Sequence, residues 1–139
     1  DEEKLFRVND CLKRVNLENC NELLISELSG GMIKRVSIAR AIVMNPKYLL
    51  CDEPNSGLDP KTAIIIDNLI KEITIESNIT TIVNTHDMNS VMEIGQNIAY
   101  INNGLISWSG NKEELLESDN EQLNNFVFAS ELFKRLKKI

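Results

Sequence analysis

Three short stretches hold residues with chemical reach: the pair Asp52-Glu53, the run Leu28-Ser29-Gly30-Gly31-Met32, and the lone histidine His86. Asp52 and Glu53 follow an apolar run, Tyr48-Leu49-Leu50-Cys51, and charge delivered by a buried strand is costly unless it has partners or work. Side chains alternate along a strand, so the two carboxylates point differently and take different roles. One can hold Mg²⁺, largely through water, because that ion keeps much of its hydration shell. The other can orient or deprotonate an attacking water, an effect worth about 10²–10⁴ in rate. Ser29 ahead of two glycines sets exposed backbone N–H groups at a helix start, a natural anion site. A Cβ there would keep the backbone from a phosphate. His86 could hydrogen-bond a phosphate oxygen. Taken singly, each stretch has a plainer reading: a solvated loop start, a helix cap, a surface imidazole.

The surrounding pattern is what would position these groups. Leu5, Val8, Leu12 and Val15 recur at helical spacing, which predicts an amphipathic first helix. Ser29 is a fitting cap for a second helix with Met32, Val36, Ala39 and Val43 on one face, stopped at Asn45-Pro46. The run ending at Asp52 reads as a strand buried on both faces. Asp59-Pro60 opens another helix, cored by Ile66, Leu69, Ile70 and Ile73. Thr80 to Thr85 is a second short β-branched strand, also expected to be buried. A short helix around Val91 to Ile94 ends at Gly95. Asn102-Asn103-Gly104 between apolar runs marks a hairpin. Asn111 caps a further helix, and Phe126 to Leu136 is predicted as the last amphipathic one. Strand, helix, strand, helix and hairpin predict an α/β sheet with parallel strands, whose carboxyl ends are where ligands sit in open α/β folds.

Bulk composition narrows the classes. The 139 residues are 42% hydrophobic and 26% charged, an ordinary globular balance. Net charge is −6, which speaks against a nucleic-acid partner, since phosphate contacts need surplus Lys and Arg. No apolar run approaches the roughly 20 residues of a membrane-spanning helix. Cys11, Cys20 and Cys51 lack CxxC spacing and are expected as buried reduced thiols, fitting a cytosolic protein. The first residue is not Met, and the chain is expected to be cut from something longer. A basic cluster, Lys134, Arg135, Lys137 and Lys138, reads as a solvated helix end.

The order and spacing of the three stretches resemble the ATP-binding domain of ABC proteins. Leu28-Ser29-Gly30-Gly31, with Lys34-Arg35-Val36 and Ala39-Arg40-Ala41 after it, resembles the signature motif and its helix. Tyr48 to Glu53 is similar to the Walker B strand with the catalytic glutamate, Ser56-Gly57-Leu58-Asp59 to the D-loop, and Thr85-His86-Asp87 to the H-switch. The resemblance implies a P-loop NTPase (RecA-like) fold with a partial parallel-sheet core. It implies the end of a helical subdomain over residues 1–45, the core over 46–110 with a late β-hairpin, and a helical tail over 111–139. The cofactors it implies are ATP and Mg²⁺. Asp52 would hold Mg²⁺, Glu53 would polarise water, and His86 would contact the γ-phosphate. Ser29, Gly30 and Gly31 would complete the site of a second copy arranged head to tail, and Asp59 would lie at that interface.

Two departures bear on this. Met32 stands where the family commonly has Gln, so a side-chain amide is missing beside the signature loop. No GxxxxGK[ST] occurs in the sequence, so this stretch alone is expected not to bind ATP tightly or to hydrolyse it. The Glu27 to Met32 run, together with Ser118 to Val127, is further similar to the ATPase of Mla/MCE-type phospholipid transporters. That implies membrane permease subunits as partners, a place on the inner face of the cell membrane, and lipid transport. The alternatives are the ATPase of another bacterial ABC importer or exporter, a soluble ABC ATPase of translation or DNA maintenance, and a non-catalytic dimerisation partner. The segment 125–139 is expected to pack on its own domain or on a neighbouring subunit.

Overall fold

The computed structural model describes residues 1–129. The chain divides into two compact units, Asp1–His86 and Asp87–Ile139. The first contains α1 (Glu2–Arg14), a 3₁₀ turn (Ile25–Glu27), α2 (Gly30–Ile42), β1 (Tyr48–Asp52), α3 (Pro60–Glu76) and β2 (Thr80–Asn84). The second contains α4 (Met88–Ile94), β3 (Ile98–Asn102), β4 (Leu105–Gly110), α5 (Lys112–Glu117) and α6 (Glu121–Val127).

In the first unit β1 and β2 pair in parallel, Tyr48 opposite Thr80 and Asp52 opposite Asn84. The register brings both strands to their carboxyl ends at the same level, so Glu53 and Thr85-His86 leave the sheet side by side. Helix α3 covers one face: Ile66, Leu69, Ile70 and Ile73 are buried along it, and Thr74 Oγ1 meets Thr81 Oγ1 at 2.7 Å. Leu49 is buried on that side. The start of α3 follows the expected chemistry, with Asp59 accepting from the Thr62 N–H at 3.0 Å and Pro60 in the first turn. Asn45 and Asn78, which close α2 and α3, hold φ of 49° and 50°, a left-handed conformation that Asn tolerates well.

Several expectations are corrected here. The two strands are not buried on both faces: Tyr48 is 70%, Leu50 73% and Ile82 61% exposed. These three share the face opposite α3, and among the described residues only one face of the strand pair is covered. Helix α1 forms, yet Leu5 and Val8 stay exposed and only its far end, Cys11 and then Val15, is buried. On α2 Ile38, Ala39 and Ile42 are buried, so of the expected face Ala39 is in the core while Met32, Val36 and Val43 are half-buried. That helix packs on both α1 and α3, and a helix with two neighbours needs no single apolar stripe. All three cysteines are free thiols, but only Cys11 is buried. Burial pushes the Cys51 thiol up, and burial followed by the Asp10 charge does the same at Cys11, with Arg14 opposing.

The second unit wraps a hairpin with short helices. Asn103 and Gly104 join β3 to β4 with φ of 51° and 76°, both left-handed as a tight two-residue turn requires. Leu115, Leu123, Val127 and Phe128 form its core, with Met88, Tyr100 and Trp108 packed against it. Gly95 does end α4, but at φ −63° and not in the left-handed form. A Cβ there would meet the Val91 carbonyl oxygen at 2.5 Å, so close backbone approach is what favours glycine. Asn111 caps α5 reciprocally with Glu114. The final described helix begins at Glu121, capped by Asn120, and ends at Val127, so Phe126 and Val127 close a helix where one is expected to open. The predicted extension to Leu136 and the basic cluster lie outside the described residues.

Candidate functional site

At the strand ends the two adjacent carboxylates take different partners. Asp52 Oδ1 accepts from Asn84 Nδ2 at 2.6 Å, directly across the register. Glu53 turns the other way. Its Oε1 accepts from the His86 backbone N–H at 3.0 Å and lies 2.8 Å from His86 Nδ1. A carboxylate only accepts, so Nδ1 carries the proton and Nε2 faces outward from the pair. Both contacts fall on Oε1, which leaves Oε2 to accept from water. Glu53 holds φ +45°, unusual for a residue other than Gly or Asn. Its backbone is fastened on both sides: its N–H donates to Asn84 O at 2.8 Å, and its carbonyl accepts from Lys34 Nζ at 3.2 Å.

Ser29, Gly30 and Gly31 open α2. Ser29 Oγ accepts from the Met32 N–H at 3.3 Å, which is capping geometry. Its own hydroxyl proton stays available to another acceptor. The two glycines differ in purpose. Gly31 is buried, and a Cβ on it would lie 2.7 Å from Thr62 Cγ2, so its bareness lets α2 pack on the start of α3. Gly30 is exposed, and a Cβ there would make only an ordinary 3.7 Å contact with Leu58. Of the two, Gly30 is the one whose backbone is open to solvent. The loop from Glu53 to Asp59 therefore lies against the start of α2 through Leu58 and Lys34. Arg35 binds the other end of the neighbourhood, donating to Asn16 O at 2.9 Å past the end of α1.

Asp59 is exposed and accepts from Thr62 twice, through the side-chain hydroxyl at 2.5 Å and the backbone N–H at 3.0 Å. The Thr62 hydroxyl, then its N–H, hold the Asp59 carboxyl below its ordinary 3.8. A depressed folded pKa means stability that is present above the ordinary value and lost as pH falls through the lowered one. Asp59→Asn should accordingly flatten the acid limb of a Tm-against-pH curve below about pH 4, while a limb identical to wild type would contradict this linkage.

Asp52 suits a hydrated hard cation: it is exposed, and its second oxygen is not used by Asn84. Among the described residues no group of three or more His, Cys, Asp or Glu is arranged to hold a metal. Sequence reading missed Lys34 and Asn84 as structural partners of the carboxylates. Asn84 was within reach, since it stands two residues before His86 on a strand of the same length as β1.

Comparison with known proteins adds kinship to this geometry. The family model described as ABC transporter matches residues 2–56. The methionine import ATP-binding protein MetN of Campylobacter jejuni is 41% identical over 90% of this chain and 37% of its own length. That of Clostridium tetani is 42% identical over 91% of this chain and 40% of its own. The chain is homologous to ABC transporter ATPase domains. Among solved ABC cassettes, a post-hydrolysis dimer of the ATP-binding cassette MJ0796 bound to ADP and Pi is 37% identical, with a TM-score of 0.68 over 79% of this chain and 47% of that one. The ADP conformation of the cassette MJ1267 gives a TM-score of 0.77 at 27% identity, covering 98% of this chain and 50% of that one. The P-loop NTPase fold expected from the sequence is thereby shown, in part, by an α/β chain spanning half or less of these ABC proteins. The expectation of a phospholipid transporter finds no support, because these relatives bear the name of methionine importers.

Proposed function

We propose that this chain is the hydrolytic part of the ATP-binding subunit of an ABC importer for methionine or a closely similar amino acid. The observation that carries the ATPase reading is the Glu53–His86 contact of 2.8 Å at the joint end of two parallel strands. Kinship with MetN proteins over about 90% of the chain supports the cargo. Residues 1–45 then belong to the helical subdomain, 46–110 to the RecA-like core and 111–139 to a helical tail.

The chain's own groups divide the work. Oε2 of Glu53 accepts a proton from the attacking water while Oε1 stays fixed by His86. His86 Nε2, on the outward side of its ring, would contact the terminal phosphate of ATP. Bound Mg²⁺, held through water by Asp52, would supply charge neutralisation at the phosphate oxygens. Ser29 and Gly30 offer a hydroxyl and backbone N–H groups to the nucleotide of a second copy. Asp59 sits at that junction. Such a subunit works against membrane permease subunits at the inner face of the cell membrane. Among the described residues no helix is long and apolar enough to cross a bilayer.

The test is reconstitution of the full-length protein with its permease partners in vesicles. ATP hydrolysis stimulated by methionine, with uptake of labelled methionine, is the expected result. Hydrolysis indifferent to methionine but stimulated by phospholipid would return the cargo to lipid.

A further inference from the structure

The loop that carries Glu53 rests on a buried polar contact. Asp67 is 3% and Asn55 8% exposed, and Asn55 Nδ2 donates to Asp67 Oδ1 at 2.8 Å. Asp67 stands on α3 in the company of Ala63, Ile66, Leu69, Ile70 and Ile73, all buried. A carboxylate in such surroundings stabilises less than an apolar residue of its size would, and one use of buried polar groups is to fix a geometry. Here the partner residue shows what is fixed. Asn55 lies two positions after Glu53 and four before Asp59.

The Asn55 contact reaches the middle of the loop between Glu53 and Asp59, away from the strand that fastens Glu53 itself. Two turn bonds brace the loop, Ser56 N–H to Glu53 O at 3.2 Å and Leu58 N–H to Asn55 O at 3.1 Å. Pro54 and Asn55 are its buried residues, while Ser56 and Gly57 are exposed. Glu53 keeps a left-handed φ of 45°, and such a backbone persists where its surroundings over-determine it. Released at Asn55, the turn after Glu53 would loosen, and the Glu53 carboxylate would sit less firmly against His86 although Asn84 and Lys34 still hold its backbone.

We propose that Asp67 is a positioning residue for Glu53, acting through Asn55. Helix α3 thus fastens the loop twice, at its end through the Asp59 cap and at its middle through Asp67. The inference rests on Glu53 being the group that activates water. Displacing a catalytic group by about an ångström is enough to lose up to roughly a hundredfold in rate.

The experiment is steady-state ATP hydrolysis by the full-length protein and its variants. Asp67→Leu, which removes the acceptor but keeps the volume, should lower kcat about tenfold with KM for ATP within about twofold and no loss of Tm. Asp67→Asn retains an oxygen for Asn55 and should restore kcat to within about threefold of wild type. A folded Asp67→Leu protein with wild-type kcat overturns the proposal, as does a kcat loss that Asp67→Asn shares in full. Should Asp67→Leu fail to fold, Asn55→Ala cuts the same bond from the loop side, and unchanged kcat in that variant is equally decisive. Glu53→Gln is run alongside: if it keeps its activity, the assignment of Glu53 fails first, whereas its loss beside a normal Asp67→Leu sinks this inference alone.

Discussion

Glu53→Gln in the full-length protein should reduce ATP turnover at least about a hundredfold while nucleotide binding is retained. The amide oxygen can still accept from the His86 N–H, as Oε1 does now at 3.0 Å, so the loop keeps its shape. What disappears is basicity: an amide takes no proton from water. A site that closes on ATP without consuming it accumulates in the closed state. The expected readouts are therefore loss of phosphate release and, in sedimentation, an ATP-dependent dimer that wild type populates only transiently. Turnover within threefold of wild type would remove Glu53 from the role of base and shift attention to another proton acceptor.

A comparable loss is expected from Ser29→Arg, for a different physical reason. Ser29 Oγ caps α2 through the Met32 N–H, and losing a cap costs about 1 kcal/mol in helix stability. Arginine adds more than that loss: it sets a cation against the positive end of the helix dipole and fills the approach to Gly30. Removing a single well-placed donor to a developing oxyanion typically costs about 10²–10³ in rate. Hydrolysis should fall by at least about a hundredfold on that scale, with nucleotide affinity nearly intact, as the proposed role of Ser29 at the nucleotide of a facing copy requires. Ser29→Ala separates the contributions, since it loses the cap and keeps the space. A Ser29→Arg protein that forms the closed dimer and hydrolyses normally would argue against a shared site.

How much of this could be seen in the residues alone depends on whether the cause was local. The caps at Ser29, Asp59 and Asn111 were legible because one side chain and its next few N–H groups decide them. The turn at Asn103-Gly104 was legible for the same reason. The meeting of Glu53 and His86 followed from two strands of equal length paired in parallel. Burial was read poorly. Tyr48, Leu50 and Ile82 are apolar enough for a covered sheet, yet coverage is decided by neighbours far along a chain, which a local run cannot reveal. The α2 face was misjudged because α1 and α3 both lie against it. Lys34 is legible as part of the signature-like helix, but its contact is not, and it emerges only where Nζ reaches the Glu53 carbonyl. Asp67 did leave a trace: it is the single acid on the buried face of α3.

The left-handed backbone at Glu53 also limits what could ever stand in its place. Valine, isoleucine and threonine are barred there by their branched Cβ, whatever the chemistry of the replacement. Glycine and asparagine, by contrast, would sit more comfortably than glutamate itself. The position thus admits a narrow alphabet of successors. Its present occupant is held against its own conformational preference by Asn84, Lys34 and His86.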